Sequence, residues 1–397
     1  MEKHIFWDKQ PVTREDTESV GVIDKNTLKI SKEKPTPLPS LLNWCSFNIS
    51  DENEFKEFHQ FILDNYNSKK EDFHLAYTQD LLRWSLELDL EGYKIKKLDN
   101  INDWFLGVRT DKGVLVGVIT AVPVFLKVQG KSIQTAIVNH LCIKPELRSI
   151  GLAGFLIKEL IRTVRLTNPK LLTAPIFTSS DLPFQKIVDV KMYSRYLNIE
   201  KLIQVDIIES KYKGDLDFKN YYQDIEITQA LNMSLMREDD IESAYKLFKK
   251  NLKNYTLTVE FPNQKLFSDY YGNKFNEDGN PLGPIYTFVV KDEDDEVTDF
   301  ISLYSLPYQD KNHQLILKPI NLLRIERSET ELIDLLNYTF LITKEMGFDI
   351  FNCLETFGIS KDIKELKLDG SDQTMTYYTY NYNCGEVKPE SLGVIFP

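Results

Sequence analysis

Apolar positions along this chain fall into helix-spaced sets and strand-length runs. Phe55, Phe58, Phe61, Ile62 and Tyr66 recur every three or four residues, with Asp51 placed to cap them, and predict a helix. A second helix is expected from Thr78 to about Leu88, with Leu81, Leu82 and Ser85 on one face. Strands follow over residues 104–109 and 114–122, joined by the turn Thr110-Asp111-Lys112-Gly113. Residues 127–131 open a further hairpin, and residues 136–143 alternate so little that they read as a buried strand. From Leu147 a helical pattern begins, with Leu152, Phe155, Leu156, Leu160 and Val164 facing inward. The second half follows the same logic. A helix carries Ile241, Ala244, Tyr245 and Phe248 inward, and strands over 286–290 and 299–306 are joined by the acidic turn 291–296. A helix over 329–346 and strands over 349–354 and 376–380 complete the pattern. Each half therefore predicts helices and a largely antiparallel sheet with one strand–helix crossover. The boundary falls near Val205 to Lys213, dividing the chain into residues 1–208 and 209–397. The polar segment 13–40 ends in Lys34-Pro35-Thr36-Pro37-Leu38-Pro39, which excludes a long helix or a central strand and predicts an extended arm lying over the domain.

Composition narrows the function classes. The chain has 397 residues, enough for two or three domains of about 150 residues each. Its charge balance, 48 − 60 = −12, argues against non-specific polyanion binding, so no nucleic-acid partner is expected. Cys45, Cys142, Cys353 and Cys384 show no CxxC spacing, which predicts neither a disulfide framework nor structural zinc. A reducing compartment fits these cysteines, and a cytoplasmic monomer is expected. The start of the chain lacks the apolar core of a secretory signal, and no run of about 18 apolar residues predicts a membrane span. Five His, among them the isolated His313, give little basis for a metal centre. The 20 Tyr, 23 Phe and 4 Trp either line an apolar cavity or fill the core.

The segment Arg148-Ser149-Ile150-Gly151-Leu152-Ala153 lies between a predicted strand and a predicted helix. A glycine-containing turn at a helix N-terminus favours phosphate through backbone N–H groups and the helix dipole; an ordinary helix start is the other reading. Its RxxGxA pattern resembles the pyrophosphate loop of acyl-CoA-dependent N-acyltransferases of the GNAT-like fold.

An ordered series of further motifs resembles the eukaryotic glycylpeptide N-myristoyltransferase (N-tetradecanoyltransferase) family over nearly the whole chain. Phe6-Trp7-Asp8-Lys9-Gln10-Pro11-Val12 is similar to the family's FWxTQPV arm. Trp44-Cys45, Leu63-Asp64-Asn65-Tyr66, Phe73-His74-Leu75-Ala76-Tyr77 and Trp84 resemble its EWxx…LLNENYV…FRFDYS…W series. The segment from Val116 to Pro123 resembles LVGFISAIP; Asn139-His140-Leu141-Cys142-Ile143 and Leu147-Arg148-Ser149 resemble NFLCVHKxLRS. Further on, Val297 to Pro307 resembles TDFxSFYxLP, Phe351-Asn352 resembles VFNAL, and Lys367 to Cys384 resembles KFGxGDGxxxYYLYNW.

The resemblance implies an α+β fold of two pseudo-symmetric GNAT-like halves, forming one compact unit with a saddle-shaped mixed sheet. Residues 1–208 would bind acyl-CoA, and residues 209–397 would supply most of a peptide groove and a buried C-terminus. The implied activity moves myristoyl from myristoyl-CoA to the N-terminal glycine amine of peptides and proteins, without a metal. The implied acyl-CoA site comprises Ile5, Phe6, Trp7, Leu141, Cys142, Ile143, Arg148, Ser149, Ile150, Gly151, Leu152 and Ala153. The backbone amides of His140 and Leu141 match the family's oxyanion donors, and the terminal carboxylate of Pro397 matches its base. His140 as a new general base is the alternative. Thr173 matches a residue that orients the amine, and Tyr77, Asn139, Ser302, Tyr304, Asn352 and Asp372 fall in motifs of the peptide side.

Departures are concentrated. The family's RSKR is Arg148-Ser149-Ile150-Gly151, which lacks two cations. TAG becomes Thr173-Ala174-Pro175, YWHR becomes Met192-Tyr193-Ser194-Arg195, GDG becomes Ser371-Asp372-Gln373, and the Asp of FDY becomes Ala76. Altered peptide specificity is the expectation. The rivals are an acyl-CoA-binding homologue without turnover and an acyltransferase for another acyl chain or amine.

Overall fold

The computed structural model describes residues 6–15, 17, 19–30, 34–66, 73–86, 104–310 and 316–396. Among them, fourteen strands join one mixed sheet. In chain order these are β1 Leu42–Ser46, β2 Phe105–Thr110, β3 Leu115–Val128, β4 Lys131–Ile143, β5 Ile176–Ser179, β6 Val188–Tyr196 and β7 Met233–Leu235. They continue with β8 Leu257–Glu260, β9 Ile285–Lys291, β10 Val297–Ser305, β11 Pro319–Glu326, β12 Ile350–Leu354, β13 Asp369–Thr379 and β14 Leu392–Gly393. The order across the sheet is β14-β8-β3-β4-β5-β13-β6-β12-β11-β10-β9-β7, with β2 also on β3 and β1 on β2.

Most neighbours are antiparallel. Parallel pairing of β4 with β5 spans helix α3 (Leu152–Thr167), and that of β11 with β12 spans the helix Leu332–Glu345. Each half therefore carries one strand–helix–strand crossover, as its apolar pattern predicts. The halves also interleave: β8 lies against β3, and β13 lies between β5 and β6.

Local chemistry accounts for the elements around the site. Asp51 Oδ1 accepts from the N–H groups of Asn53 (2.9 Å) and Glu54 (3.0 Å) and starts helix α1 (Glu52–Asn65), which buries Phe55, Phe58, Phe61 and Ile62. Helix α2 (Gln79–Leu86) begins with Thr78 Oγ accepting from Leu81 N–H and buries Leu81, Leu82, Trp84 and Leu86, while Ser85 is half-buried. Its expected extension to Leu88 lies outside the described residues.

Two expectations need correction. The strand predicted to stop at Val122 runs through Pro123 to Val128, because Leu126 and Val128 are core residues and Pro123 pairs with Ala136 in the ladder. Gln129 and Gly130, both at positive φ, then close the hairpin. Helix α3 does not start at Leu147. Residues 145–150 form 3-10 turns, and Gly151 at φ 74° separates them from α3, since a left-handed residue cannot sit inside a right-handed helix. The N-terminal arm crosses the sheet, with Val12 bridging to Tyr380 and Gly21–Val22 pairing with Tyr382–Asn383.

Candidate active site

Between β3 and β4 the register slips. Val118 pairs with Cys142 and Thr120 with Asn139, so Ile119 opposes both His140 and Leu141 in a β-bulge. The bulge holds His140 at φ 52°, a left-handed conformation uncommon outside glycine. It sends the His140 side chain inward, 1% exposed, and the Leu141 side chain outward, 39% exposed. The His140 N–H donates to Asn139 Oδ1 at 2.8 Å. Thr120 Oγ donates to the Asn139 carbonyl at 3.0 Å and lies 3.0 Å from His140 Nδ1. The rings of Phe58, Tyr66 and Tyr77 surround the imidazole, and burial pushes its pKa down to about 4, so it stays neutral near pH 7.

Two cavities meet at this bulge. An apolar one of about 290 Å³ lies between α3 and the sheet, lined by Trp7, Ile119, Val138, Leu160, Val164 and Tyr380 among others. A smaller one of about 70 Å³ is lined by Thr120, Val122, Ile137, Tyr270 and Phe396. The strand residues of the two linings alternate, which places the cavities on opposite faces of the sheet. Asn139 and His140 line both.

A third cleft, about 450 Å³, shares Trp7, Ala153 and Ile157 with the apolar cavity and opens at the N-terminus of α3. Phe6, Gly151, Gly154, Lys9 and Lys158 line it. Gly154 lets the arm approach, since a Cβ there would lie 3.5 Å from the Phe6 ring. Lys158 Nζ sits 5.8 Å from the centre of the same ring. A helix N-terminus with two lysines and a left-handed glycine is suited to phosphate.

Sequence reasoning missed Lys9 and Lys158. The spacing of Gly151, Gly154 and Lys158 on one helical face was the available signal. Arg148 is engaged differently from the expectation: Nε donates to the Ile143 carbonyl at 3.1 Å and Nη2 to the Asn65 carbonyl at 2.7 Å. It fastens the end of β4 to the end of α1. Ser149 and Ile150 are exposed on the turn, whereas Cys142, Ile143 and Leu152 belong to the core beneath it.

The other candidate residues divide. Tyr77 and Tyr304 are buried, and Tyr66, Tyr304 and Tyr308 stand close enough to Tyr77 to raise its phenol pKa beyond the effect of burial. Asn352 Oδ1 accepts from Ser194 Oγ at 2.8 Å, while its Nδ2 donates to Asn321 Oδ1 at 3.0 Å and lies 3.4 Å from Tyr308 Oη. Tyr77, Tyr304 and Asn352 are thus gathered through Tyr308, and Ser194, which stands for the expected His, bonds within that group. Ser302 is not brought there: it is fully buried, and its Oγ lies 2.8 Å from Thr287 Oγ, whose own proton goes to the Tyr271 carbonyl at 2.6 Å. Thr173 lines none of these cavities; its Oγ donates to the Lys170 carbonyl at 2.6 Å. Asp372 is exposed on β13.

The tail enters the core as its apolar sequence predicts. β14 pairs with β8, Tyr377 Oη donates to the Val394 carbonyl at 2.9 Å, and Val394, Ile395 and Phe396 are buried. Ile5 and Pro397 lie outside the described residues. Among the described residues, no group of three or more His, Cys, Asp or Glu is placed to hold a metal, and no helix is long and apolar enough to cross a membrane.

Comparison with known proteins adds to this geometry. Residues 22–185 match the family described as Myristoyl-CoA:protein N-myristoyltransferase, N-terminal domain, and residues 213–394 match the corresponding C-terminal domain. The probable glycylpeptide N-tetradecanoyltransferase of Caenorhabditis elegans is 28% identical, covering 98% of this chain and 85% of the relative. The glycylpeptide N-tetradecanoyltransferase of Plasmodium falciparum (isolate 3D7) is 27% identical, covering 98% of this chain and 92% of the relative. A solved structure of Saccharomyces cerevisiae N-myristoyltransferase with bound myristoyl-CoA superposes with a TM-score of 0.84, at 25% identity over 100% of this chain and 94% of that one.

Proposed function

The chain belongs to the myristoyl-CoA:protein N-myristoyltransferase family, and from this membership we infer an acyltransferase that moves myristoyl from myristoyl-CoA to the N-terminal glycine amine of peptides and proteins. The fold is the family's pair of GNAT-like halves. One observation carries the assignment: the apolar cavity beside α3 ends at a bulge whose backbone also borders the face reached by the buried tail.

In this reading the acyl chain lies among Ile119, Val138, Leu160 and Val164, and the CoA phosphates lie at the start of α3 near Lys9 and Lys158. The thioester oxygen takes the N–H groups of His140 and Leu141, displacing the Asn139 side chain from the first of them. A glycine amine has a pKa of about 7.7–8.0, so a modest base suffices; the Pro397 carboxylate is the group proposed. The amine attacks the thioester carbon, the N–C bond forms, the C–S bond breaks, and the CoA thiolate leaves, taking up the proton that the nitrogen loses as it becomes an amide. Residues 1–208 serve the acyl donor and residues 209–397 most of the peptide. Tyr77, Tyr304 and Asn352 border the peptide, and Asp372 selects a basic side chain several residues after the glycine. Four free thiols support a cytoplasmic location, and the charge of −12 speaks against a nucleic-acid partner.

The test is mass spectrometry of glycine-initiated peptides incubated with the protein and myristoyl-CoA. The expected product carries myristoyl on the N-terminal amine. Tight acyl-CoA binding without any product would instead establish a binding protein. Faster transfer from another acyl chain would reassign the donor.

A further inference from the structure

We propose that the imidazole Nε2 of His140 is the hydrogen-bond acceptor that receives the glycine amine as it approaches the thioester. The assignment rests on the acyl-transfer reading above and adds a group that the family pattern, with Phe at this position, does not supply.

The contacts of Thr120 favour one tautomer of the ring. Thr120 Oγ has one proton and faces two acceptors, the Asn139 carbonyl and His140 Nδ1. Both contacts are hydrogen bonds only if the hydroxyl donates to the carbonyl and Nδ1–H donates to the hydroxyl. Nε2 is then left with a bare lone pair. It is buried and has no hydrogen-bond partner among the described residues. A buried acceptor without a donor is disfavoured, and so is a non-glycine residue at φ 52°. Two such penalties on one residue of the bulge call for a compensating role.

The position suggests which donor completes it. The ring meets Tyr66, which lines the apolar cavity, and Tyr77, which stands beside Tyr304 and Tyr308. His140 therefore lies between the proposed acyl and peptide sites, and its own N–H is a proposed oxyanion donor. His140 lines both cavities, so a small N–H donor arriving at the bulge from either side comes within reach of its ring. A neutral amine that gives one N–H to Nε2 keeps its nitrogen lone pair free for the thioester carbon. Burial keeps the ring uncharged, so the ring orients the neutral amine, the Pro397 carboxylate having taken the ammonium proton, and the proton released on acylation leaves with the CoA thiolate as its thiol.

The test compares wild-type protein with His140→Phe and His140→Gln, the latter retaining an acceptor oxygen. Turnover of a glycine-initiated peptide is measured, with calorimetry of myristoyl-CoA binding. The expected result is a kcat about tenfold lower for His140→Phe, unchanged myristoyl-CoA affinity, and recovery of most of the rate in His140→Gln. A wild-type rate in His140→Phe, equal slowing of both variants, or a parallel loss of myristoyl-CoA affinity overturns the proposal. A second measurement needs no variant. In wild-type protein with ¹⁵N-labelled histidine and a non-hydrolysable thioether analogue of myristoyl-CoA, adding the peptide should move the Nε2 resonance upfield. An unmoved Nε2 at peptide saturation overturns the proposal even where the variants do not fold. Absence of transfer by the wild type would count against the acyl-transfer reading, and the Nε2 response would still decide the role of His140.

Discussion

Arg324 Nη1 donates to the carbonyl of Gly393 at 2.9 Å from within a fully buried ion pair, in which Nε donates to Glu326 Oε1 at 2.7 Å. Thr258 Oγ accepts from the same guanidinium at 2.7 Å, and Phe248, Tyr255 and Phe357 enclose it. A Cβ at position 393 would lie 2.5 Å from both Arg324 Nη1 and Thr258 Oγ, so only glycine lets the tail pass here. Removing the arginine alone strands a buried carboxylate. Arg324→Met is therefore expected to destabilise the protein by about 3–5 kcal/mol, and adding Glu326→Leu should recover most of that loss. Denaturant titrations of the single and double variants check both signs.

The tail itself is a second target. Burial of Ile395 and Phe396 supplies roughly 1.5–3 kcal/mol per side chain toward holding residues 394–396 in the core. Deleting residues 395–397, or adding a short polar extension after Pro397, should lower kcat strongly and leave myristoyl-CoA affinity nearly unchanged. Full activity in the extended protein would remove the terminal carboxylate from the mechanism.

At the donor cleft, charge and strain are separable. Any side chain at Gly151 pays for φ 74°, about 1–2 kcal/mol, but only Asp also brings an anion toward the proposed phosphate site. Gly151→Asp should bind myristoyl-CoA more weakly than Gly151→Ala by calorimetry, and Lys158→Glu should weaken it further. Equal affinities in the Asp and Ala variants would move the phosphate site elsewhere.

The neutral His140 predicts a pH effect on stability. Its folded pKa, about 4, lies below the unfolded value of about 6.5. Above pH 6.5 both states are neutral and the contribution is fully present; as pH falls toward 4 only the unfolded state gains the proton, and stability declines. The order of magnitude is about 3 kcal/mol. The titratable neighbours facing the ring, Tyr66 and Tyr77, have raised pKa values and stay protonated across this range. His140→Phe should therefore flatten the difference in unfolding free energy between pH 7 and pH 4, measured by urea titration. An unchanged slope would show that the ring titrates alike in both states.

What the sequence made legible was local or repeated. Helix α1 was readable because Phe55, Phe58, Phe61 and Ile62 share a face behind a capping Asp51. The crossovers were readable because each joins a buried strand to an amphipathic helix. The bulge at His140 was not, since one residue of slipped register between β3 and β4 leaves no periodic trace. Nor was the fate of polar groups whose partners are distant in the chain or set by geometry. The Ser302 hydroxyl meets Thr287, the Thr173 hydroxyl turns to its own 3-10 turn, and the Arg148 guanidinium meets the end of α1. The motif series assigns these residues to the proposed site; packing decides which of them face it.

The interleaved sheet also bears on how the molecule is made. β3 takes β8 as a neighbour and β5 takes β13, so early strands keep open edges until late ones exist. The Asn381 side chain donates to the Leu172 carbonyl across a separation of 209 residues. Such pairings incur loop-closure entropy before any contact compensates for it, and exposed edges invite association with other chains. A ribosome that has delivered only the first half has therefore released strands whose partners are still unmade. Assembly must wait for the last part of the polypeptide, and holding nascent chains apart, by chaperones or by slow synthesis, should raise the yield of native protein.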